Sequence, residues 1–191
     1  MSDEAPESGE EAVVETPLEP PVPSDEVAAA VLQKFAGCAC HESHGQAVVY
    51  VPRDLWRDVA EFLRDEQEFV ICLDVTAVDH LVDVERPAVP GGVAPERFEV
   101  VANFISHTRA RRIRAICQVP NGDETVASLT PVYPGVNFGE REVFDLYGIR
   151  FEGHPELVRI LMPDDWDGHP LRKDDAPARV PVTFKGDPVP R

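Results

Sequence analysis

The chain has 191 residues, 43% of them hydrophobic, with 35 acidic against 18 basic side chains and a formal net charge of −17. That length suits one domain plus an appendage, and the charge argues against direct binding to nucleic acid or anionic lipid. The longest aliphatic run, Val27 to Leu32, falls far short of the roughly 20 residues of a helical membrane span.

Residues 1–26 hold nine acids, Asp3, Glu4, Glu7, Glu10, Glu11, Glu15, Glu19, Asp25 and Glu26, and no Lys or Arg. Five prolines lie in the same stretch, at 6, 17, 20, 21 and 23. Too little apolar surface is available there to offset the entropy of ordering, so residues 1–24 read as a disordered, solubilising acidic tail. With acids where a basic segment and an apolar core would stand, no secretory signal is expected.

A first helix should start near Ser24, with Val27, Val31 and Phe35 on one stripe and Gly37 closing it. Cys38, Cys40, His41 and His44 follow within seven residues. Zinc accepts such ligands, but the C-x-C spacing is tighter than that of zinc fingers and no second ligand pair follows; the segment is read as a structural loop. Gln46 to Val51 is β-branched and ends at Pro52, which suits a strand. Asp54 then caps a second helix with Leu55, Val59 and Phe62 or Leu63 inward. Phe69 to Val75 is a continuous apolar run, read as a strand buried on both faces.

Pro87, Pro90, Gly91, Gly92 and Pro95 make residues 83–97 a loop. Arg97–Ser106 and Arg111–Val119 form a hairpin pair around His107-Thr108-Arg109. Arg109, Arg111, Arg112 and Arg114 make the most basic patch of the chain, read as a solvated face or a protein contact. The four cysteines, 38, 40, 72 and 117, lack the grouping that holds an iron–sulfur cluster.

Pro134-Gly135 breaks the chain, Asn137 is placed to cap with Glu140 three residues on, and a short helix from Phe138 to Tyr147 ends on Gly148. Val143, Phe144 and Tyr147 share one face, and Arg141 and Asp145, one turn apart, can pair. Glu140 and Glu142 diverge around the axis, which weakens a paired-carboxylate reading. His154 and His169 each sit in Gly-His-Pro; with Asp164, Asp165 and Asp167 they could build a metal site, though turn histidines at an interface are the reading taken. After Met162, six prolines preclude long helices, yet Trp166, Leu171, Val180, Val182, Phe184 and Val189 would be costly to leave in water. Residues 163–191 therefore read as an extended arm docked on another protein.

These residues predict an α+β fold: a mixed or antiparallel sheet with helices mainly on one side, plus an extended C-terminal arm. The divisions are a tail over 1–24, an α+β domain over 25–133, a helical signature segment over 134–162 and the partner-docking arm over 163–191.

The run Glu140-Arg141-Glu142-Val143-Phe144-Asp145-Leu146-Tyr147-Gly148-Ile149, with Phe151, Gly153-His154-Pro155, Arg159-Ile160-Leu161 and Gly168-His169-Pro170-Leu171-Arg172-Lys173-Asp174, resembles the signature of the C subunit of NADH-quinone oxidoreductase, the 30 kDa subunit family of respiratory complex I. The resemblance is close over 134–174 and looser upstream to about residue 25. Where many relatives carry two basic residues after the first Gly-His-Pro, Val158 precedes Arg159 here.

The resemblance implies a non-catalytic subunit of a translocase. It would lie in the peripheral arm, on the cytoplasmic side of the cell membrane, and contact chiefly the D subunit, with B and I. NADH and quinone would be met only through the complex. No cofactor is expected in this chain, FMN and iron–sulfur clusters belonging to partner subunits. Glu140, Arg141, Glu142, Asp145, His154, Arg159, His169, Arg172, Lys173 and Asp174 are the expected interface or scaffold positions. The alternatives are the equivalent subunit of a membrane-bound hydrogenase or ferredoxin-linked complex, and a free-standing metal-dependent hydrolase.

Overall fold

The computed structural model describes residues 25–83, 86 and 88–175. The acidic tail and the last part of the arm, with Val180, Val182, Phe184 and Val189, lie outside the described residues. The first helix, α1 (Glu26–Lys34), is capped by Asp25: its carboxylate accepts from the amides of Val27 and Ala28 at 2.9 and 3.0 Å, which satisfies two orphan donors of the first turn. Val27, Ala28 and Val31 are buried.

The Cys38 to His44 segment is not a loop. Ala39–Ser43 is strand β1, paired antiparallel with β2 (Gln46–Tyr50) across a tight turn in which His44 and Gly45 take positive φ. Asp54 does not cap the second helix. It lies in a 3-10 turn, Arg53–Leu55, that leads into α2 (Trp56–Asp65), which has no side-chain cap.

Strand β3 (Ile71–Asp79) is followed by the hairpin of β4 (Phe98–Ser106) and β5 (Arg111–Val119). Among the described residues these strands build a five-stranded sheet in the order β1-β2-β5-β4-β3, antiparallel except for the parallel pair β2–β5. The sheet is therefore mixed. A second, two-stranded sheet joins β6 (Thr125–Ala127) in parallel to β7 (Arg150–Glu152).

The main core lies between the sheet and the helices. Trp56, Val59 and Leu63 of α2 and Val31 of α1 pack there against Phe98, Val100, Phe104, Ile113 and Cys117, each large side chain stabilising the fold by roughly 1.5–3 kcal/mol through burial. The opposite sheet face carries a smaller cluster, Ala39, Val48, Tyr50, Val101 and Ile116, covered by Val89 and Val93 of the long loop. β3 is not buried on both faces. As an edge strand it buries only Val75, Ala77 and Asp79 on the helix side, while Leu73 is 51% exposed.

The helix of the signature segment, α3 (Asn137–Tyr147), is entered through a 3-10 turn at Pro134–Val136. Asn137 is already helical, so it does not act as the cap. Gly139 brings α3 against β3: a methyl group there would sit 3.1 Å from the Val75 carbonyl. Val136, Val143, Ile149 and Phe151 enter the main core.

Gly148 ends α3 at φ +77°, and a side chain there would come within 2.7 Å of the His169 ring. Gly148→Ala therefore combines a strained φ with a clash, and should cost about 1–3 kcal/mol in urea-induced unfolding; an unchanged midpoint would contradict this placement.

Candidate functional site

The signature residues converge around the outer side of α3. Arg141 and Asp145 do not pair with each other. Asp145, with a side chain closed to solvent, accepts from three consecutive amides: Ile160, Leu161 and Met162 all donate to Oδ2, at 3.0, 2.8 and 2.9 Å. Its other oxygen, Oδ1, takes Nη1 of Arg159 at 2.6 Å. Arg141 grips the same loop from its carbonyl side, donating to Val158 and Arg159 at 3.1 and 3.0 Å.

Burial alone would raise the Asp145 pKa, but the amides of Met162 and Leu161, Arg159 and the Ile160 amide outweigh it and hold the group at about 2. Successive amides turned onto one anion form such a cradle.

Arg159 extends the network, its Nη2 donating to the carbonyls of Trp166 and Gly168 at 3.1 and 3.0 Å. The His169 ring packs edge-on to Phe144, and Nδ1 lies 2.9 Å from the Asp145 carbonyl, which requires the proton on Nδ1. His154 accepts the Glu156 amide on Nδ1 at 3.0 Å and reaches the Asn137 carbonyl with Nε2 at 3.2 Å. Both histidines are turn locks, and neither joins Asp164, Asp165 and Asp167 in a cluster; no group of three metal-ligating side chains occurs among the described residues.

A second anchor lies at the end of β3. Buried Asp79 takes Nε and Nη2 of Arg97 at 3.0 and 2.8 Å and the amides of Leu81 and Lys173 at 3.0 and 2.8 Å. Arg97 also binds Asp174 through both oxygens, at 2.5 and 2.8 Å. Arg172 meets Glu124 at 3.3 Å and, like Arg97, lies over the Phe98 ring.

The polar atoms of residues 163–175 hold this part of the arm, expected on another protein, against its own domain. Asp79, Arg97 and Glu124 are site residues that sequence reasoning misses. Each lies far along the chain from its partner, so only the clustering of charges at 172–174 hints that counter-charges are needed.

Glu140 is a further buried carboxylate. It closes no capping box; it reaches across to accept from Ser128 Oγ at 2.5 Å, the Leu129 amide at 2.6 Å and Thr130 Oγ1 at 3.1 Å. Burial pushes its pKa up despite these donors. Glu142 points to solvent, so the two carboxylates diverge.

Polar groups face inward here and apolar ones outward. Phe138 and Leu161 are 64% and 56% exposed, and Val158, Ile160 and Leu171 are exposed beside them. The buried carboxylates meet several donors each, and burial pushes the thiols of Cys38, Cys72 and Cys117 up to about 11, 12 and 12, away from the thiolate that reacts or binds metal. Cys38 and Cys40 face the core, whereas His41 lies by Tyr50 on the other sheet face, so the sequence cluster does not converge. A cleft of about 410 Å³ lies elsewhere, among Tyr50, Pro52, Val93 and Gln118. No described helix is long and apolar enough to cross a membrane.

Residues 49–180 match the family model for the respiratory-chain NADH dehydrogenase 30 kDa subunit. The C subunit of NADH-quinone oxidoreductase from Geobacter sulfurreducens is 40% identical over 159 residues, 81% of this chain and 91% of that one. The Roseiflexus sp. counterpart is 44% identical over 78% and 81%. That of Saccharopolyspora erythraea is 40% identical over 76% of this chain, which spans only 55% of its length. Among solved structures, a trypsin-resistant fragment of Nqo5, residues 1–134, superposes with a TM-score of 0.58 at 29% identity, covering 69% of this chain and 99% of the fragment. A chain of the membrane-bound sulfane sulfur reductase, an archaeal respiratory membrane complex, gives 0.60 at 25% identity over 78% and 83%.

Asp145 and Glu140 should show opposite pH signatures. With a folded pKa of about 2 against about 3.9 unfolded, Asp145 contributes about 2–3 kcal/mol above pH ~4, lost as pH falls towards 2. The stability gap between wild type and Asp145→Asn should therefore shrink with acid. Glu140, raised in the fold, contributes most below its unfolded pKa, so the gap to Glu140→Gln should narrow as pH rises. Urea titrations across pH 2–8 read both slopes, and parallel slopes would refute the assignment.

Proposed function

The chain belongs to the family of the 30 kDa subunit of respiratory-chain NADH dehydrogenase, and from that premise we propose that it is a non-catalytic subunit of the peripheral arm of a proton-translocating NADH-quinone oxidoreductase. In such a complex electrons pass from NADH through FMN and iron–sulfur clusters to quinone. This chain holds the quinone-site subunits in register, contacting chiefly D, with B and I, on the cytoplasmic side of the membrane. The redox groups reside in those partners.

The observation that carries this reading is the ledge over 158–162. Arg141, Asp145 and Arg159 fix its backbone from within, leaving Val158, Ile160 and Leu161 pointing outward beside Phe138 and Leu171. A rigid polar scaffold under an exposed apolar surface suits recognition, because ordering costs have been met before the partner arrives. Buried carboxylates saturated with donors suit scaffolding better than proton transfer.

The likeness to a chain of the sulfane sulfur reductase complex favours a second reading: the equivalent subunit of a respiratory complex with a different electron donor. The proteins that co-purify with this chain discriminate, since a flavin-bearing NADH-oxidising partner supports the first and its replacement by a ferredoxin-linked module the second.

Leu161→Glu removes an exposed apolar contact without touching the scaffold. Burial of a leucine is worth roughly 2 kcal/mol, so association with partner subunits should fall about thirtyfold while the isolated chain keeps its circular dichroism and melting temperature. Normal complex yield and quinone reductase activity in this variant and in Phe138→Glu would sink the proposal.

A further inference from the structure

The outer face of the five-stranded sheet is covered on one half only. Val89 and Val93 close it over Tyr50, Val101 and Ile116. On the other half, where β3, β4 and β5 run side by side, a groove of about 330 Å³ remains among Leu73, Asp74, Asn103, Arg112 and Arg114. Register sets two rows across it. Ile71, Ile105 and Arg112 lie in line, as do Asp74, Asn103 and Arg114. Ile71 and Leu73 are exposed, and so are both arginines.

In so acidic a chain most of the described arginines meet a carboxylate, among them Arg53, Arg86, Arg97, Arg159 and Arg172. Among the described residues Arg112 and Arg114 meet none; the Nε of Arg114 donates to Asn103 at 3.2 Å. Two cations at alternate positions of one strand share a face and repel. Asp74 lies in the row of Arg114 with Asn103 between them, and the surface suits a further anionic cover with apolar side chains for Ile71 and Leu73.

The chain supplies such a cover at the right place. Its N-terminal stretch joins the described structure at Asp25, whose carboxylate lies 3.1 Å from Arg111, next in sequence to Arg112. Glu26 lies 3.3 Å from Arg109 in the same hairpin. Arg111 points to the helix side of β5 and Arg112 to the outer face, so the acidic stretch is tethered at the end of the hairpin, one sheet face away from the bare arginines. Residues 1–24 bring seven more carboxylates, no cation, and Val13, Val14, Leu18 and Val22. Glu19, six residues before Asp25, has a reach of roughly 20 Å, enough to round the end of the hairpin.

We propose that the acidic N-terminal segment, residues 1–24, docks on this open half of the sheet in cis, with carboxylates on Arg112 and Arg114 and apolar side chains on Ile71 and Leu73. The segment then works as an intramolecular cover for a basic-apolar surface, beyond a solubilising role.

The test is amide NMR of the full-length, 15N-labelled chain. At low salt, Arg112→Glu with Arg114→Glu should move the resonances of residues 10–24 to where about 0.5 M NaCl moves those of wild type, since salt screens the same contact. Arg150→Glu, which reverses an exposed charge on β7, should leave them in place. If the double reversal disturbs the core amides, Arg112→Gln with Arg114→Gln should produce the same movement. Coincident tail resonances in wild type and variant at low salt, as when the groove is left to a separate acidic polypeptide, overturn the proposal. So does an equal response to Arg150→Glu.

Discussion

A single carboxylate shut away from water organises the C-terminal part of this molecule. Asp145 would be costly to bury ionised without partners. It has four donors, and three are consecutive backbone amides. Meeting that requirement fixes the path of residues 158–162, and with Arg159 reaching on to the carbonyls of Trp166 and Gly168, the path of the next turn as well. Irregular backbone is thereby held as firmly as a strand would be. The side chains of Val158, Ile160 and Leu161 are left with nowhere to point but outward.

The same device recurs at Asp79, which takes a guanidinium and two amides and secures the chain at Lys173. Between these anchors the segment lies along α3 and the end of β3, with its polar atoms satisfied inside the chain and much of its apolar surface unsatisfied outside. Here the carboxylates meet several donors each and the thiols are held protonated by burial, so these groups hold the shape of the segment. Membership of the respiratory 30 kDa subunit family gives that shape a context, and an exposed apolar ledge is what the proposed contact with another subunit requires.

Local rules made part of this legible in the sequence. Gly148 as a left-handed stop, the hairpin around residues 107–110 and the inward stripe of α1 follow from backbone sterics and periodicity. The signature run pointed to the family, and several of its residues meet in one network. What local rules hid was long-range competition. Asn137 and Glu140 have capping-box spacing, but Ser128, Leu129 and Thr130, coming from another part of the chain, claim Glu140. Arg141 and Asp145 have ion-pair spacing, yet each finds a better partner in the loop that follows. The apolar run ending at Val75 reads as buried on both sides, whereas strand order places it at an edge.

The central claim is that the ledge is preformed, its backbone fixed by Asp145 before any partner binds. Hydrogen exchange at the amides of Ile160, Leu161 and Met162 in the isolated full-length chain tests this most directly. A preformed ledge predicts protection there comparable to the inner strands β4 and β5, lost in Asp145→Ala and little changed on incorporation into the complex. Rapid exchange at these three amides in the isolated protein, with protection only after assembly, would contradict it.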